Sequence, residues 1–183
     1  GAYLSWGVVP MYFKLLTHVA GMQVLAHRIA WSAVFLALIM VVRGRGAIAE
    51  LTTPLRRNDV RLALAFSTLL IAVNWYTFIY AIETDALLQA SLGYYINPLL
   101  SVLLGVIFLG ERLRPWQLVG LALATIGVAV LTISQESLPW IAVVLAISFG
   151  VNGLMRKTMH IGAMAGLTAE TVALFVPCVA VIV

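Results

Sequence analysis

Long apolar runs separated by short polar breaks divide the chain into seven segments. A helix needs about 20 mostly apolar residues to cross roughly 30 Å of hydrocarbon. On that measure five runs are complete spans and two are partial. Span one, Gly1 to about Leu16, is read as a span missing its start rather than a signal peptide, since no basic leader precedes it. Spans two to six run from about Gln23 to Val42, Leu62 to Ile82, Leu87 to Leu109, Trp116 to Ile133 and Leu138 to Met155. Span seven begins at Leu167 and is cut short. Both ends of the chain fall inside apolar runs, so an excerpt of a longer protein is expected.

The polar positions inside these runs are not scattered. At 100° per residue, Ser91, Tyr94, Pro98, Ser101 and Gly105 of span four share one narrow arc, with Ala90 and Asn97 beside it. Leu92, Ile96, Leu99, Leu103 and Val106 take the opposite face. Pro98 has no N–H to donate, which frees the carbonyl of Tyr94, and lipid offers that carbonyl no partner. The arc is therefore expected to face protein or a wet cavity. Tyr3, Gly7, Pro10 and Lys14 align likewise on span one, and Ser67, Asn74 and Thr77 on span three. For Asn74, Tyr94 and Asn97 both cavity lining and interhelical hydrogen bonding fit. For Gly105, Gly120, Ala124 and Gly127, small residues at fourfold spacing, helix packing is the expectation.

Composition agrees with a bilayer as solvent. Of 183 residues, 63% are hydrophobic and 10% charged, against roughly 45–50% and about 25% in a soluble domain. The net charge of +4 does not point to nucleic acid, because the basic residues lie in breaks between spans. Arg43, Arg45, Arg56, Arg57 and Arg61 follow span two, Arg112 and Arg114 follow span four, and Arg156 and Lys157 close span six. The intervening breaks, THVAGM, ETDA and SQES, carry no lysine or arginine. The positive-inside rule makes the basic side cytoplasmic, in a multi-pass protein of the cell (inner) membrane. Cys178 is the only cysteine, so no disulfide framework can form.

An internal repeat sets the architecture. SWGVVPMYFK, Ser5 to Lys14, aligns with SFGVNGLMRK, Ser148 to Lys157, at an offset of 143, and Ala20, Ala26 and Ala30 meet Ala163, Ala169 and Ala173. If span six repeats span one, each repeat holds five helices, and an odd number inserts the second copy upside down, as in many secondary transporters. The expected fold class is an all-α membrane bundle of inverted five-helix repeats, about ten spans in a parent of roughly 290 residues. Residues 1–133 form the first repeat and 138–183 the start of the second.

Charged positions within spans complete the candidate site. Lys14 and Arg28, with His27 beside Arg28, fit either an outer vestibule for an anionic solute or snorkelling to headgroups. Trp75, Tyr76 and Tyr80 fit an interfacial aromatic belt. Glu170 fits a coupling proton site or an ion pair, with Lys157 as the expected partner. The expected solute pathway comprises Tyr3, Pro10, Lys14, Arg28, Asn74, Ser91, Tyr94, Asn97 and Pro98, with Glu170 as coupling candidate.

AHRIAWS (Ala26 to Ser32), NWYTFIYAI (Asn74 to Ile82), ASLGYYINPLLSVLLGVIFLGERL (Ala90 to Leu113) and the following GLALATIGV together resemble the EamA-type transporters of the drug/metabolite transporter superfamily, specifically the RarD group. The resemblance covers the whole chain. It implies a ten-helix inner-membrane carrier with two EamA repeats, moving small organic metabolites or drugs, often outward. Pro98, Gly110 and Glu111 fall on that family's fourth-span pattern, and Glu111 is read as part of a structural charge cluster with Arg112 and Arg114. The leading expectation is a secondary exporter working by alternating access, with lipid and a small solute as partners, a homodimer as the oligomer to test, and no cofactor or metal. The absence of a GxxxxGK[ST] loop argues against ATP hydrolysis. An intramembrane enzyme using His27 or Glu170 and a purely structural membrane protein are the alternatives; HExxH and GxSxG spacings are absent.

Overall fold

A computed structural model describes residues 8–9, 11–13, 15–16, 18–133, 139–159 and 161–182. Residues 8–9 and 11–13 are helical. They are followed by α1 (Gly21–Arg43), α2 (Arg45–Thr52), a short 3-10 turn, α3 (Asn58–Glu83), α4 (Leu87–Leu109), α5 (Pro115–Ile133), α6 (Trp140–Met159) and α7 (Ala163–Ile182). Six of these, all but α2, are long and apolar enough to cross a membrane, and no strand occurs among the described residues. The chain is thus the all-helical bundle its hydropathy pattern predicts. α4 has the same limits as the fourth apolar run. Pro98 does not break it: the helix is continuous from Leu87 to Leu109. It stops where Gly110 takes φ +64°, the left-handed conformation that commonly ends helices.

Packing follows the small residues. α4 lies most extensively on α6. A Cβ on Gly93 would come within 3.0 Å of the Ala142 carbonyl oxygen and of Leu145 Cβ, and one on Gly150 within 3.0 Å of Leu100. Such close approach is how membrane helices gain dispersion contact when lipid is as apolar as leucine. Gly93, Leu100 and Leu104 therefore form the face of α4 that meets α6. Gly120 and Gly127, expected as packing positions, have nothing within 4 Å, and no residue of α5 is buried. Gly93 and Gly150 are in contact because their faces meet another helix, which spacing alone does not identify.

α3 sits at the centre, touching α1, α6 and α7. Its polar stripe of Ser67, Asn74 and Thr77 is fully buried. α1 and α7 form the second large contact and run antiparallel. Arg43 at the end of α1 donates from Nη1 to Met164 Sδ near the start of α7, at 3.0 Å. At the other end, Leu25 and Ile29 share an apolar cluster with Leu174 and Cys178. The Lys157 ammonium meets Glu111 Oε1 at 3.0 Å, so the end of α6 joins the α4–α5 connection. Basic residues from three connections thus gather at one end of the bundle.

Candidate functional site

At the end of the bundle opposite these basic residues, a groove of about 650 Å³ opens between α1 and the residues that precede it. That volume falls in the range of about 300–1,000 Å³ usual for small-molecule sites. Leu25, Ala26 and Ile29 are buried, which fixes the rotation of α1. The neighbouring positions Val24, His27, Arg28 and Trp31 then line the groove, facing Val9, Tyr12, Phe13, Leu16 and Val19.

Among the described residues that line this wall, Arg28 carries the one formal charge. Its Cζ lies 5.1 Å from the centroid of Trp75 on α3, a cation–π distance. Tyr94 on α4 is within electrostatic reach of the guanidinium. The Tyr94 ring meets Phe78 edge-on, with centroids 5.8 Å apart; Phe78 meets Phe13 at 6.4 Å and Phe13 meets Tyr12 at 5.7 Å. Four rings thus run from α4 across α3 to the groove. Among the described residues no carboxylate pairs with Arg28. A cation at such a position is costly unless something polar answers it.

A second polar assembly lies toward the basic end and binds α3, α6 and α7 together. The Glu170 side chain is 0% exposed. Ser67 Oγ donates to Glu170 Oε1 at 2.6 Å. Asn152 Nδ2 reaches Ser67 Oγ at 2.8 Å and Glu170 Oε1 at 3.2 Å. Arg156 closes the set as a fork, Nη2 to Oε2 at 2.5 Å and Nε to Oε1 at 3.4 Å. This corrects the expected pairing of Glu170 with Lys157. One residue rotates 100° around a helix, so Arg156 faces α7 while Lys157 faces Glu111 at the end of α4.

Of the expected pathway residues, Arg28 and Tyr94 come together beside the groove. Ser91 and Pro98 are exposed and Asn97 is half-buried, its Oδ1 accepting a long 3.5 Å contact from Ser101 Oγ. This arc is centred about 120° from the face that meets α6, although Ser101 and Gly105 border Gly150 and Gly153 near the basic end. Tyr3, Pro10 and Lys14 lie outside the described residues. Asn74 is the correction. It is buried between α3 and α6, where Nδ2 donates to the Leu145 carbonyl at 3.0 Å and to Ser148 Oγ at 2.9 Å. Ser148 and Leu145 lie more than 70 residues away in sequence, so periodicity on α3 could not name them. Asn74→Leu should therefore lower stability by about 0.6 and at most about 1.7 kcal/mol, the range of interhelical hydrogen bonds in bilayers. Unfolding in detergent measures the stability, and any loss of transport should scale with the loss of folded protein. The contacts of Trp75 with Arg28 and of Phe78 with Tyr94 leave no mark in the sequence: Trp75 reads there as interfacial belt because depth is invisible.

The EamA-like transporter family model matches residues 1–133. Protein RarD of Escherichia coli (strain K12) is 42% identical over 170 residues, which is 93% of this chain and 57% of that protein. An uncharacterized transporter of Vibrio cholerae is 46% identical over 172 residues, 93% of this chain and 56% of its own length. The chloramphenicol-sensitive protein RarD of Pseudomonas aeruginosa is 29% identical over 164 residues, 88% and 55% of the two chains. The chain spans about half the length of these curated relatives. No solved structure matches it.

Proposed function

Because the chain belongs to the EamA-like transporter family, we propose that it forms part of a secondary exporter of small organic solutes in the inner membrane, with the groove beside α1, α3 and α4 as the solute route. The observation that carries this reading is Arg28. A guanidinium set within an apolar span, held over the Trp75 ring and lining an open groove, suits a solute site better than a lipid-facing surface. The Glu170 assembly complements it. The groove is open toward the lysine-free connections, whereas the Arg156–Glu170 fork ties α6 to α7 and Ser67 ties α3 to both near the basic end. Alternating access requires that end to open in turn, so this fork is the contact that must break. Glu170 is then the group through which a coupling proton would act.

Two inverted repeats, residues 1–133 and 138–183, are part of the same proposal. The offset of 143 makes α7 the counterpart of α1, and an inverted pair must cross antiparallel around its own equivalents. The contacts of Arg43 with Met164 and of Leu25 and Ile29 with Leu174 and Cys178 support this reading. The transporter reading is preferred to an enzyme using His27 or Glu170. His27 lies near the start of α1 and Glu170 near the start of its antiparallel neighbour, so the two stand toward opposite ends and do not form a pair. Basic residues gathered at one end favour that end as cytoplasmic.

Solute flux into proteoliposomes carrying the full-length protein tests the carrier reading. Saturable, counterflow-competent flux for some member of a broad metabolite panel is expected; no saturable flux for any member contradicts it. Tyr94→Phe removes one hydroxyl beside Arg28, and Asn97→Leu removes the amide of the polar arc. Each should reduce transport about 2- to 10-fold, the worth of one hydrogen bond of about 0.5–1.5 kcal/mol, with membrane abundance unchanged.

A further inference from the structure

Arg28 is placed so that only part of its binding capacity is used. A guanidinium is planar: its face stacks on aromatic rings and its five N–H groups point outward in the plane. Cζ lies over the Trp75 ring, 5.1 Å from its centroid. Among the described residues, no group accepts a hydrogen bond from Arg28 and no carboxylate lies within ion-pair distance. Snorkelling does not explain it. Arg28 lies seven residues into α1, roughly 10 Å along the helix axis. Trp75, eight residues before the end of α3, lies at a similar depth, so the side chain is held inward against a ring. Beyond the guanidinium and the neighbouring His27, the groove wall is mostly apolar and aromatic, with Tyr12, Phe13, Val24 and Trp31.

We propose that the groove selects organic anions, with Arg28 taking a carboxylate through its free N–H edge and Tyr12, Phe13 and Trp31 covering an attached apolar or aromatic body. The proposal rests on the carrier reading for its biological use, but the binding it asserts is separate from flux. A carboxylate on the guanidinium gains two charge-assisted bonds in one plane. An amide of the same shape offers one weaker acceptor, and an ammonium meets like charge. Selection should therefore follow anion, then neutral, then cation.

Calorimetric titration of the full-length transporter in detergent with phenylacetate, phenylacetamide and phenethylamine tests this, together with Arg28→Gln and Arg28→Lys. Phenylacetate should bind at least 10-fold more tightly than either analogue. Arg28→Gln should weaken it about 10- to 100-fold, the worth of charged hydrogen bonds, while leaving the amide unaffected. Arg28→Lys keeps the charge without the fork and should fall between, which separates lost binding from lost folding. Equal binding of the three probes, no binding of phenylacetate, or an anion preference that survives Arg28→Gln overturns the proposal. Binding of phosphatidylglycerol that phenylacetate cannot displace also overturns it, by assigning Arg28 to a headgroup. Saturable, Arg28-independent flux of a neutral or cationic solute overturns anion selection and leaves the carrier reading standing. Anion binding without flux sinks the carrier reading alone.

Discussion

Glu170→Ala should lower the stability of the bundle by about 3 kcal/mol, the low end of the roughly 3–5 kcal/mol lost when one partner of a buried ion pair is removed. The low end applies because the Arg156 side chain is 25% exposed and recovers some solvation when its partner goes, whereas Glu170 is fully enclosed. The effect does not stop at the pair. Ser67 and Asn152 both donate to Glu170, and alanine leaves those donors facing a void where three helices meet. Glu170→Gln retains an oxygen for Ser67 and should lose less than Glu170→Ala. Chemical unfolding of the purified transporter in detergent, followed by tryptophan fluorescence, measures both. A loss under about 1 kcal/mol for the alanine variant would place this assembly with exposed ion pairs and remove its role as the tie between α3, α6 and α7.

Gly93→Leu is the second large effect expected. The Cβ alone would meet the Ala142 carbonyl oxygen and the Leu145 Cβ at 3.0 Å, and one of those atoms is backbone, which cannot rotate away. α4 must then move off α6, its principal neighbour, at a cost of about 1–3 kcal/mol or more from overpacking. Gly153, on the same α6 but with nothing within 4 Å, is the control. Gly153→Ala should be neutral or stabilise by up to about 1 kcal/mol through helix propensity. Thermal unfolding of the two variants should move in opposite directions; equal shifts would show that the contact between α4 and α6 does not depend on the missing side chain at Gly93.

The spans were legible in the sequence because crossing a bilayer is a local requirement of length and hydropathy. The limits of α4 and the clustering of Arg43, Glu111, Arg156 and Lys157 at one end follow from that alone. Partner identity was not legible. Arg156 and Lys157 are neighbours in sequence, yet a 100° rotation sends one to Glu170 and the other to Glu111. Asn74 and Tyr94 both read as polar groups on a helix face. Only the packing separates them, one bonded to Leu145 and Ser148, the other set beside Arg28. Trp75 read as interfacial because an aromatic near a helix end carries no mark of depth. Arg28 carries its charge openly in the sequence, while the ring it lies over, Trp75, belongs to another helix about 50 residues on.

That the polar arc of α4 borders an aqueous route is the claim on which the account rests. Tyr94→Cys and Ser91→Cys, in a Cys178→Ala background of the full-length transporter in proteoliposomes, test it with a membrane-impermeant thiol reagent. The account expects both positions to react when the reagent is added on the side of the lysine-free connections, to be protected by a transported solute, and to lose flux on modification. Two positions that stay unreactive from either side while flux continues would mean that the arc faces acyl chains, and the proposed route would be contradicted.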